Sequence, residues 1–236
     1  MNKKYELMDS EFVLNFLGKK LFRIRALVDI KIFGVKAGDK GGYVEAAKNL
    51  DVSDSAWVFG NAQFFGEARG SGNAWVFGDA QVYGNAQVLG NAWVFGNAQV
   101  CDNARVLGEA RVYGSAQVYD SAWVLGNAQV SGNAWVFGNA QVSGNAWVFG
   151  NAQVLGEARV SLYHEVFNVT NTRWSFTSLP KGVQIGCHFH SMKEWKEKHK
   201  EIGQQNGLSK EESIAYYKLM TAVRRVQRLA AKRASK

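Results

Sequence analysis

A six-residue repeat runs without interruption through the middle of the chain and restricts the folds that it can adopt. The unit is Val-x-Gly-Asn-Ala-x, and alanine recurs at every sixth position from Ala56 to Ala158, which gives eighteen copies. A period of six does not suit an amphipathic helix, whose apolar residues recur every 3.6 positions. Self-similarity at a short fixed period is typical of a solenoid, in which each copy stacks on others of its kind.

Each copy contains one short strand and one sharp corner. The triplet Trp75-Val76-Phe77 combines aromatic and β-branched residues, which favour strands, and its valine points to the opposite side from its two neighbours. The Gly-Asn pair that follows tolerates the left-handed backbone conformations of a tight corner. We therefore expect valine and alanine to fill a narrow interior, and the residues on either side of each valine to point outwards.

Three repeats per turn explain the early spacing of the large side chains. Trp57, Trp75 and Trp93 lie eighteen residues apart, whereas a later set of tryptophans, ending at Trp147, is spaced by twelve and suggests a two-sided coil as the alternative. A second column with the eighteen-residue spacing consists of glutamines, which are expected to bond along the axis as an amide ladder: Gln63, Gln81, Gln99 and Gln117. The three-sided coil is favoured and predicts six coils, about 29 Å long at a strand spacing of about 4.8 Å.

The Val-x-Gly-Asn-Ala-x copies resemble the hexapeptide repeat of left-handed parallel β-helix proteins. That family includes many acyltransferases, and also related proteins with no known enzymatic activity. The resemblance implies an all-β solenoid that is three-sided and left-handed. Residues 21–27, 35–45 and 183–190 resemble the flanks of uncharacterised hexapeptide-repeat proteins of bacteriophages and prophages, which implies a genomic context more than an activity.

Caps are expected at both ends of the repeat, because an open solenoid exposes an unpaired strand edge and an apolar interior. We predict an N-terminal β cap (1–51), the β-helix (52–161), an irregular C-terminal cap (162–190) and a two-helix basic module (191–236). The formal net charge is +8, and residues 162–236 hold 14 basic and 6 acidic groups. The basic character therefore belongs to the C-terminal part.

Two helices are predicted in the basic module from Ser-x-x-Glu capping boxes. Ser191 pairs with Glu194 at the first start, and Ser209 pairs with Glu212 at the second. Gly203 is the expected end of the first helix. Three apolar residues of this helix are expected to face the solenoid: Met192, Trp195 and Ile202.

Many aromatic side chains are predicted to point outwards from the solenoid. Six tryptophans precede the valines of the repeat, and nine phenylalanines or tyrosines follow them. Monomers rarely expose contiguous apolar patches larger than a few hundred Å², and stacking within each column covers only part of these rings. The remainder indicates a symmetric trimer or dimer, or docking of the C-terminal helices against one face. The residues predicted to bind a partner are Trp57, Trp75, Trp93, Trp147, Phe59, Phe77 and Phe95.

The last turns of the second helix form a basic tail: Arg224, Arg225, Arg228, Lys232 and Arg233. Basic residues at a helix C-terminus interact favourably with the helix dipole, so part of this cluster needs no partner. A solvated face and a contact with nucleic acid or an acidic protein both fit the pattern.

The repeat lacks the residues that catalysis on this fold would need. Residues 52–159 contain no histidine, whereas the resemblance to acyltransferases implies a histidine base near a subunit boundary and loops that interrupt the coils. The related zinc-dependent carbonic anhydrases need three histidine ligands. The run of Cys187, His188 and His190 suits packed cap residues better than a zinc site, which has four ligands. We therefore predict no catalytic residue, no cofactor and no metal.

These features predict a non-catalytic binding and assembly protein, and the resemblance of the flanking segments implies that it is encoded by a phage or prophage. It would form a homo-oligomer and dock a host protein, such as a defence or nucleic-acid enzyme that it inhibits. One alternative is a CoA-dependent acyltransferase with its site between subunits and His188 or His190 as the base; another is a protein that binds nucleic acid through the basic tail. Two cysteines and the lack of an apolar run of roughly 18 residues predict a cytoplasmic protein without a membrane span.

Overall fold

The computed structural model describes residues 3–161, 166–169, 176–185 and 188–234. These residues form twenty-five strands followed by two α-helices, α1 (Met192–Gln205) and α2 (Lys210–Ala234). The first three strands are β1 (Tyr5–Leu14), β2 (Lys20–Ala26) and β3 (Lys40–Val44). The last four strands are β22 (Phe167–Val169), β23 (Phe176–Leu179), β24 (Gly182–Ile185) and β25 (His188–His190). Two short 3-10 helices lie at Lys31–Phe33 and Ala47–Asn49.

Between these ends, eighteen two-residue strands form the three flat faces of a solenoid, and each face is a parallel sheet. The tryptophan face contains β4 (Trp57–Val58), β7 (Trp75–Val76), β10 (Trp93–Val94), β13 (Arg111–Val112), β16 (Gln129–Val130) and β19 (Trp147–Val148). The glutamine face contains β5 (Gln63–Phe64), β8 (Gln81–Val82), β11 (Gln99–Val100), β14 (Gln117–Val118), β17 (Trp135–Val136) and β20 (Gln153–Val154). The mixed face contains β6 (Arg69–Gly70), β9 (Gln87–Val88), β12 (Arg105–Val106), β15 (Trp123–Val124), β18 (Gln141–Val142) and β21 (Arg159–Val160).

Each short strand pairs in register with the strand eighteen residues away. Trp75 lies between Trp57 and Trp93 on the tryptophan face, and its backbone N–H donates to the carbonyl oxygen of Ala92 at 2.9 Å. Equivalent bonds repeat along the stack. The three-sided, eighteen-residue coil is therefore confirmed, and the two-sided coil is wrong. Tryptophans spaced by twelve residues move from one face to the next, as Trp135 and Trp147 do.

The alanine and valine of each copy fill the interior, as the repeat predicts. Ala92 and Val94, for example, are completely buried. The two departures from valine compensate each other, because the ring of Phe64 occupies the space that the missing side chain of Gly70 leaves. A Cβ atom at position 70 would lie 3.3 Å from Cζ of Phe64. Close packing of this kind is what a narrow interior requires.

The corners are held by left-handed backbone and by stacked amides. Glycine takes a positive φ at most corners, and Asp102 and Asp120 adopt the same conformation, each with φ 57°. The next residue is usually asparagine, and Nδ2 of Asn73 donates to Oδ1 of Asn91 in the next coil at 2.9 Å. The amide ladder thus runs along the corners. The expected ladder of glutamines is wrong, because no hydrogen bond joins the stacked Gln63, Gln81, Gln99 and Gln117 side chains within the described ranges.

The solenoid begins before the first repeat, in the N-terminal cap. Strands β1, β2 and β3 are antiparallel neighbours, and β3 then pairs in parallel with β5 of the glutamine face, so the solenoid has about seven turns. Lys4 closes the open end, because its ammonium group donates to the backbone carbonyl oxygens of Asp51, Asp54 and Ala56. These bonds satisfy carbonyl groups that have no preceding coil to pair with.

A small antiparallel sheet of β22, β23, β24 and β25 closes the other end. Leu179 of this sheet belongs to the same buried cluster as the valines of the repeat. In addition, the backbone N–H of Gln153 in the last coil donates to Oγ1 of Thr177 at 3.1 Å. The sheet therefore covers both the apolar interior and part of the last strand edge, which is the role expected of a cap.

The helices start where the capping boxes predict. Ser191 and Glu194 bond reciprocally at the start of α1, and Ser209 and Glu212 do so at the start of α2. Gly203 as a helix end is wrong. It lies inside α1 at the contact with α2, where an added Cβ would meet Oγ of Ser213 at 2.0 Å.

The two helices pack on the small sheet rather than on the solenoid. Trp195 of α1 and Met220 of α2 share a buried cluster with Phe176 and Val183, and Ile202 and Met192 pack against it. The expectations that α1 faces the solenoid and that the helices dock on one of its faces are therefore wrong. Within the described part of the chain, no helix is long and apolar enough to cross a membrane.

Candidate functional site

The tryptophan face holds a continuous column of aromatic rings in its middle coils. Phe77, Phe95 and Tyr113 stack nearly parallel, with ring centroids 4.7 and 4.9 Å apart. Trp93 lies beside this column, with the guanidinium of Arg111 4.8 Å from its ring centroid. The four aromatic side chains are half-buried, and Arg111 is exposed. Neighbouring coils thus cover part of each ring, as stacking predicts.

At the N-terminal end of this face, Trp57 is not available to a partner. Its side chain is 1% exposed, and the ring of Tyr5 meets it edge-on at a centroid distance of 6.2 Å. The indole N–H of Trp57 has no hydrogen-bond acceptor among the residues that the structure describes, so apolar contact with the N-terminal cap is what buries it. The prediction that this residue points into solvent and binds a partner is therefore wrong.

The same cap covers the next two aromatic residues of the face. Phe33, in the 3-10 helix of the cap, lies 6.2 Å from the ring of Phe59 and 5.0 Å from that of Trp75. Both of these residues are half-buried as a result. The N-terminal cap therefore acts as an internal partner for the first coils, which the sequence analysis did not predict.

The C-terminal end of the face is open. Trp147 and Phe149 are 45% and 47% exposed, with ring centroids 5.3 Å apart. The indole N–H of Trp147 donates to Oγ of Ser131 at 3.3 Å, which fixes the orientation of the ring. On the neighbouring glutamine face, Trp135 is exposed as well. We refer to Trp147 and Phe149 as the open aromatic patch.

Sequence reasoning placed only Trp147 of this patch among the candidate residues. Phe149 occupies the same position in the repeat as Phe59, Phe77 and Phe95, so the signal for it was present. Its importance depends on the absence of a covering segment, and the repeat itself does not contain that information. Trp135 was missed because it belongs to a different face.

The basic tail divides into one structural residue and several exposed ones. The guanidinium of Arg224 donates to the backbone carbonyl oxygens of Leu179 and Pro180 and to Oε1 of Gln227. Burial, together with the charge of Arg228, lowers the pKa of Arg224 from its ordinary value. Arg224 thus fastens α2 to the sheet, and its assignment to a partner-binding tail is wrong.

The other members of the tail lie at the surface. Arg225, Arg228, Lys232 and Arg233 are exposed. Arg225 and Arg228 form no ion pair within the described ranges. Their charge is therefore available to an external group, and whether they bind one stays a prediction.

The histidines take part in packing within the C-terminal module. His190 meets the ring of Trp195 edge-on at 5.2 Å, and Nε2 of His188 lies 3.3 Å from Nδ2 of Asn206. His164 and Cys187 lie outside the described residues. Among the residues that the structure describes, no three side chains of the metal-binding types gather at one place.

The remaining cysteine has no sign of activation. Burial is the main reason why the pKa of Cys101 rises to about 11, and the nearby carboxylates of Asp102 and Asp120 raise it further. Thiolates are the nucleophilic form of cysteine, so a raised pKa makes Cys101 a poor nucleophile at neutral pH.

One apolar cavity lies between the two helices and the sheet that carries them. Its volume is about 100 Å³, which is below the range of about 300–1,000 Å³ typical of ligand pockets. Its walls include Ile185, Trp195, Ile202, Tyr216 and Met220. An acyl-CoA site between subunits would lie elsewhere, and that alternative stays a prediction.

Comparison with known families supports the repeat architecture. The profile of the YdcK beta solenoid repeat matches residues 80–96, 98–114, 128–141 and 140–156. All four matched stretches lie in the three-faced stack. The chain is thus a β-helix repeat protein. Comparison with curated proteins gives no match.

Proposed function

We propose that this chain is a non-catalytic binding and assembly protein, and that it associates through the open aromatic patch. The observation that carries this proposal is the contrast between the two ends of the tryptophan face. Trp57 is 1% exposed beneath the N-terminal cap, whereas Trp147, in the same position of the repeat, is 45% exposed. A rigid face with large rings uncovered at one end is a surface suited to a partner.

The N-terminal cap illustrates the kind of contact that the patch would make. Phe33 lies against Phe59 and Trp75 there, and a partner would place an apolar side chain on Trp147 and Phe149 in the same way. Burying a large apolar side chain contributes about 1.5–3 kcal/mol when it is fully exposed beforehand. The two rings begin half-covered, so each would contribute about half as much.

The first partner that we propose is a second copy of the chain, as a dimer or trimer. A two-fold axis would bring the same flat face of two copies together, and symmetric homo-oligomers are the commonest assemblies of soluble proteins. The stack is rigid because its coils share backbone hydrogen bonds throughout. Side chains presented by such a scaffold lose little conformational entropy on binding.

The native mass of the purified protein tests this proposal. We expect an oligomer for the natural sequence and a single chain for Trp147→Ser combined with Phe149→Ser. The matched control is Trp123→Ser, which removes a half-buried tryptophan from the mixed face and should leave the oligomer intact. A monomeric natural protein, or an oligomer that survives the double substitution, would refute self-association through the patch.

A host protein is the second partner that we propose. The resemblance of the flanking segments to phage and prophage proteins supports a phage-encoded protein that acts on a host enzyme of defence or nucleic-acid metabolism, in the cytoplasm. Such a role needs a stable surface rather than a reactive centre, in keeping with the raised pKa of Cys101. Capture of the same host protein by the natural chain and by Trp123→Ser, but not by the patch variant, is the expected result.

A further inference from the structure

Helix α2 carries a second apolar stripe, and this one faces solvent. Val226 and Leu229 are 51% and 53% exposed, and Leu219 and Ala222 are exposed too. The opposite side of the helix, which includes Met220, packs into the buried cluster beneath it. The apolar residues of α2 thus fall on two separate sides, and only one side is used by the chain itself.

The exposed stripe has the spacing of a coiled-coil seam. Leu219, Ala222, Val226 and Leu229 are separated by three, four and three residues, which is the alternation of the a and d positions of a heptad. The stripe is about 15 Å long at a rise of about 1.5 Å per residue. We call these four residues the α2 seam. A seam of this pattern is the surface on which a second helix packs.

One border of the α2 seam is entirely basic. Lys218, Arg225 and Lys232 are exposed and recur at intervals of seven residues, and Lys218 and Arg225 directly precede Leu219 and Val226 of the seam. No aspartate or glutamate follows Glu212 in the chain. Helical neighbours of opposite charge, which would compensate Lys218 and Arg225 within α2, are therefore lacking.

The other border of the seam offers no charge. Val223 and Ala230 lie there and are half-buried, because this side turns toward the sheet under the helix. A second helix that packs on the seam therefore meets charged groups of α2 on one side only, and all of them are cationic. Residues at such flanking positions decide which helices pair.

We propose that the α2 seam docks an acidic amphipathic helix of a partner protein. The aliphatic residues of that helix would lie on Val226 and Leu229, and its glutamates or aspartates would lie against Lys218 and Arg225. Because α2 is already folded and held by Arg224, only the partner helix has to be ordered on binding. This site presupposes the binding role proposed above, but it lies on a different surface from the open aromatic patch.

Other occupants fit the seam less well. Two copies of α2 in antiparallel pairing would bring their basic borders together, and in parallel pairing each border would face the uncharged side that carries Val223. Nucleic acid would place its phosphates over the exposed Val226 and Leu229. The phosphates would lose water there without a compensating contact. A helix that lies in a membrane surface has a broad apolar face with aromatic residues, whereas the seam is narrow and aliphatic.

A titration with designed peptides tests the proposal on the full chain. The probe is a fluorescein-labelled peptide of four heptads, with leucine at the a and d positions and glutamate at e and g. The matched peptide carries lysine at e and g. At physiological salt we expect the glutamate peptide to bind at least about tenfold more tightly than the lysine peptide.

Substitutions in α2 then separate seam packing from simple charge attraction. Val226→Ser combined with Leu229→Ser should weaken binding of the glutamate peptide by at least about tenfold. The control Leu14→Ser, which alters an exposed leucine of the N-terminal cap, should have no effect. Lys218→Glu combined with Arg225→Glu should reverse the preference, so that the lysine peptide binds more tightly.

Several results would overturn the proposal. They are equal affinity for the two peptides, no binding of either, full binding by the Val226→Ser, Leu229→Ser variant, or tighter binding of duplex DNA or of phosphatidylserine vesicles than of the glutamate peptide. Loss of an oligomer in the Val226→Ser, Leu229→Ser variant would assign the seam to a second copy of the chain instead. The native mass of a protein that keeps Trp147 and Phe149 tests the open aromatic patch separately. Failure of the seam proposal is therefore distinguishable from failure of the patch proposal.

Discussion

Adding one methyl group at a corner of the solenoid should cost much more where the next coil is close. Gly72 and Gly60 both have positive φ, +72° and +60°, so alanine at either position costs about 1–2 kcal/mol in backbone strain. A Cβ at Gly72 would lie 2.9 Å from the backbone nitrogen of Gly90, whereas the nearest atom to a Cβ at Gly60 is the carbonyl oxygen of Gly78 at 3.4 Å. Only the first contact forces the coils apart, and overpacking of this kind adds a cost of about 1–3 kcal/mol.

We therefore expect the free energy of unfolding to fall by about 1–2 kcal/mol for Gly60→Ala and by about 2–5 kcal/mol for Gly72→Ala. Urea unfolding followed by far-UV circular dichroism measures both losses against the natural protein. The slope of the transition must be the same in all three proteins, because repeat arrays can lose two-state behaviour. Equal losses within about 0.5 kcal/mol would refute the idea that tight stacking, rather than backbone conformation alone, requires glycine at these corners.

Three further predictions concern single side chains that are buried or half-buried. Burial lowers the pKa of Lys4 from 10.5 to about 8. The unfolded chain then holds that proton more tightly, so the contribution of Lys4 to stability, measured in urea titrations as the difference between the natural protein and Lys4→Met, should rise from pH 8 to pH 10. In a Cys187→Ser variant, mass spectrometry should show that Cys101 reacts with iodoacetamide at pH 8 about 10- to 100-fold more slowly than glutathione does. An equal rate would contradict the raised pKa of Cys101. Arg224→Ala should lower the free energy of unfolding by about 2–3 kcal/mol, while Arg225→Ala should change it by less than about 0.5 kcal/mol in the same urea assay; similar losses would place both side chains in the same environment.

The core of the fold was readable from the sequence because it is a local pattern repeated many times. Alanine and valine recur at fixed positions of the six-residue repeat. Only one arrangement of the chain buries all of them in a shared interior. Glycine or a substitute such as Asp102 marks each corner, and the early spacing of Trp57 and Trp75 gives the number of residues per coil. The helix starts were also readable, because a capping box is complete within four residues.

The amide ladder and the end of α1 were predicted wrongly for a common reason. Both depend on distances between segments rather than on residue type. Asn73 reaches the next coil because a corner holds its short side chain close to it, and Gly203 serves the close approach of Ser213 rather than the end of a helix. Periodicity and propensity carry no information about such distances.

Which surfaces are open was decided by the tertiary structure alone. The pentapeptide Ala-Trp-Val-Phe-Gly occurs five times, beginning at residues 56, 74, 92, 134 and 146. Its tryptophan is buried at Trp57 and half-exposed at Trp147, because the N-terminal cap folds back over one end of the face and nothing described covers the other. Likewise, helical phase turns Arg224 inwards and its neighbour Arg225 outwards. Identical local sequences specify identical coils, and only the position of each coil in the stack determines what remains for a partner.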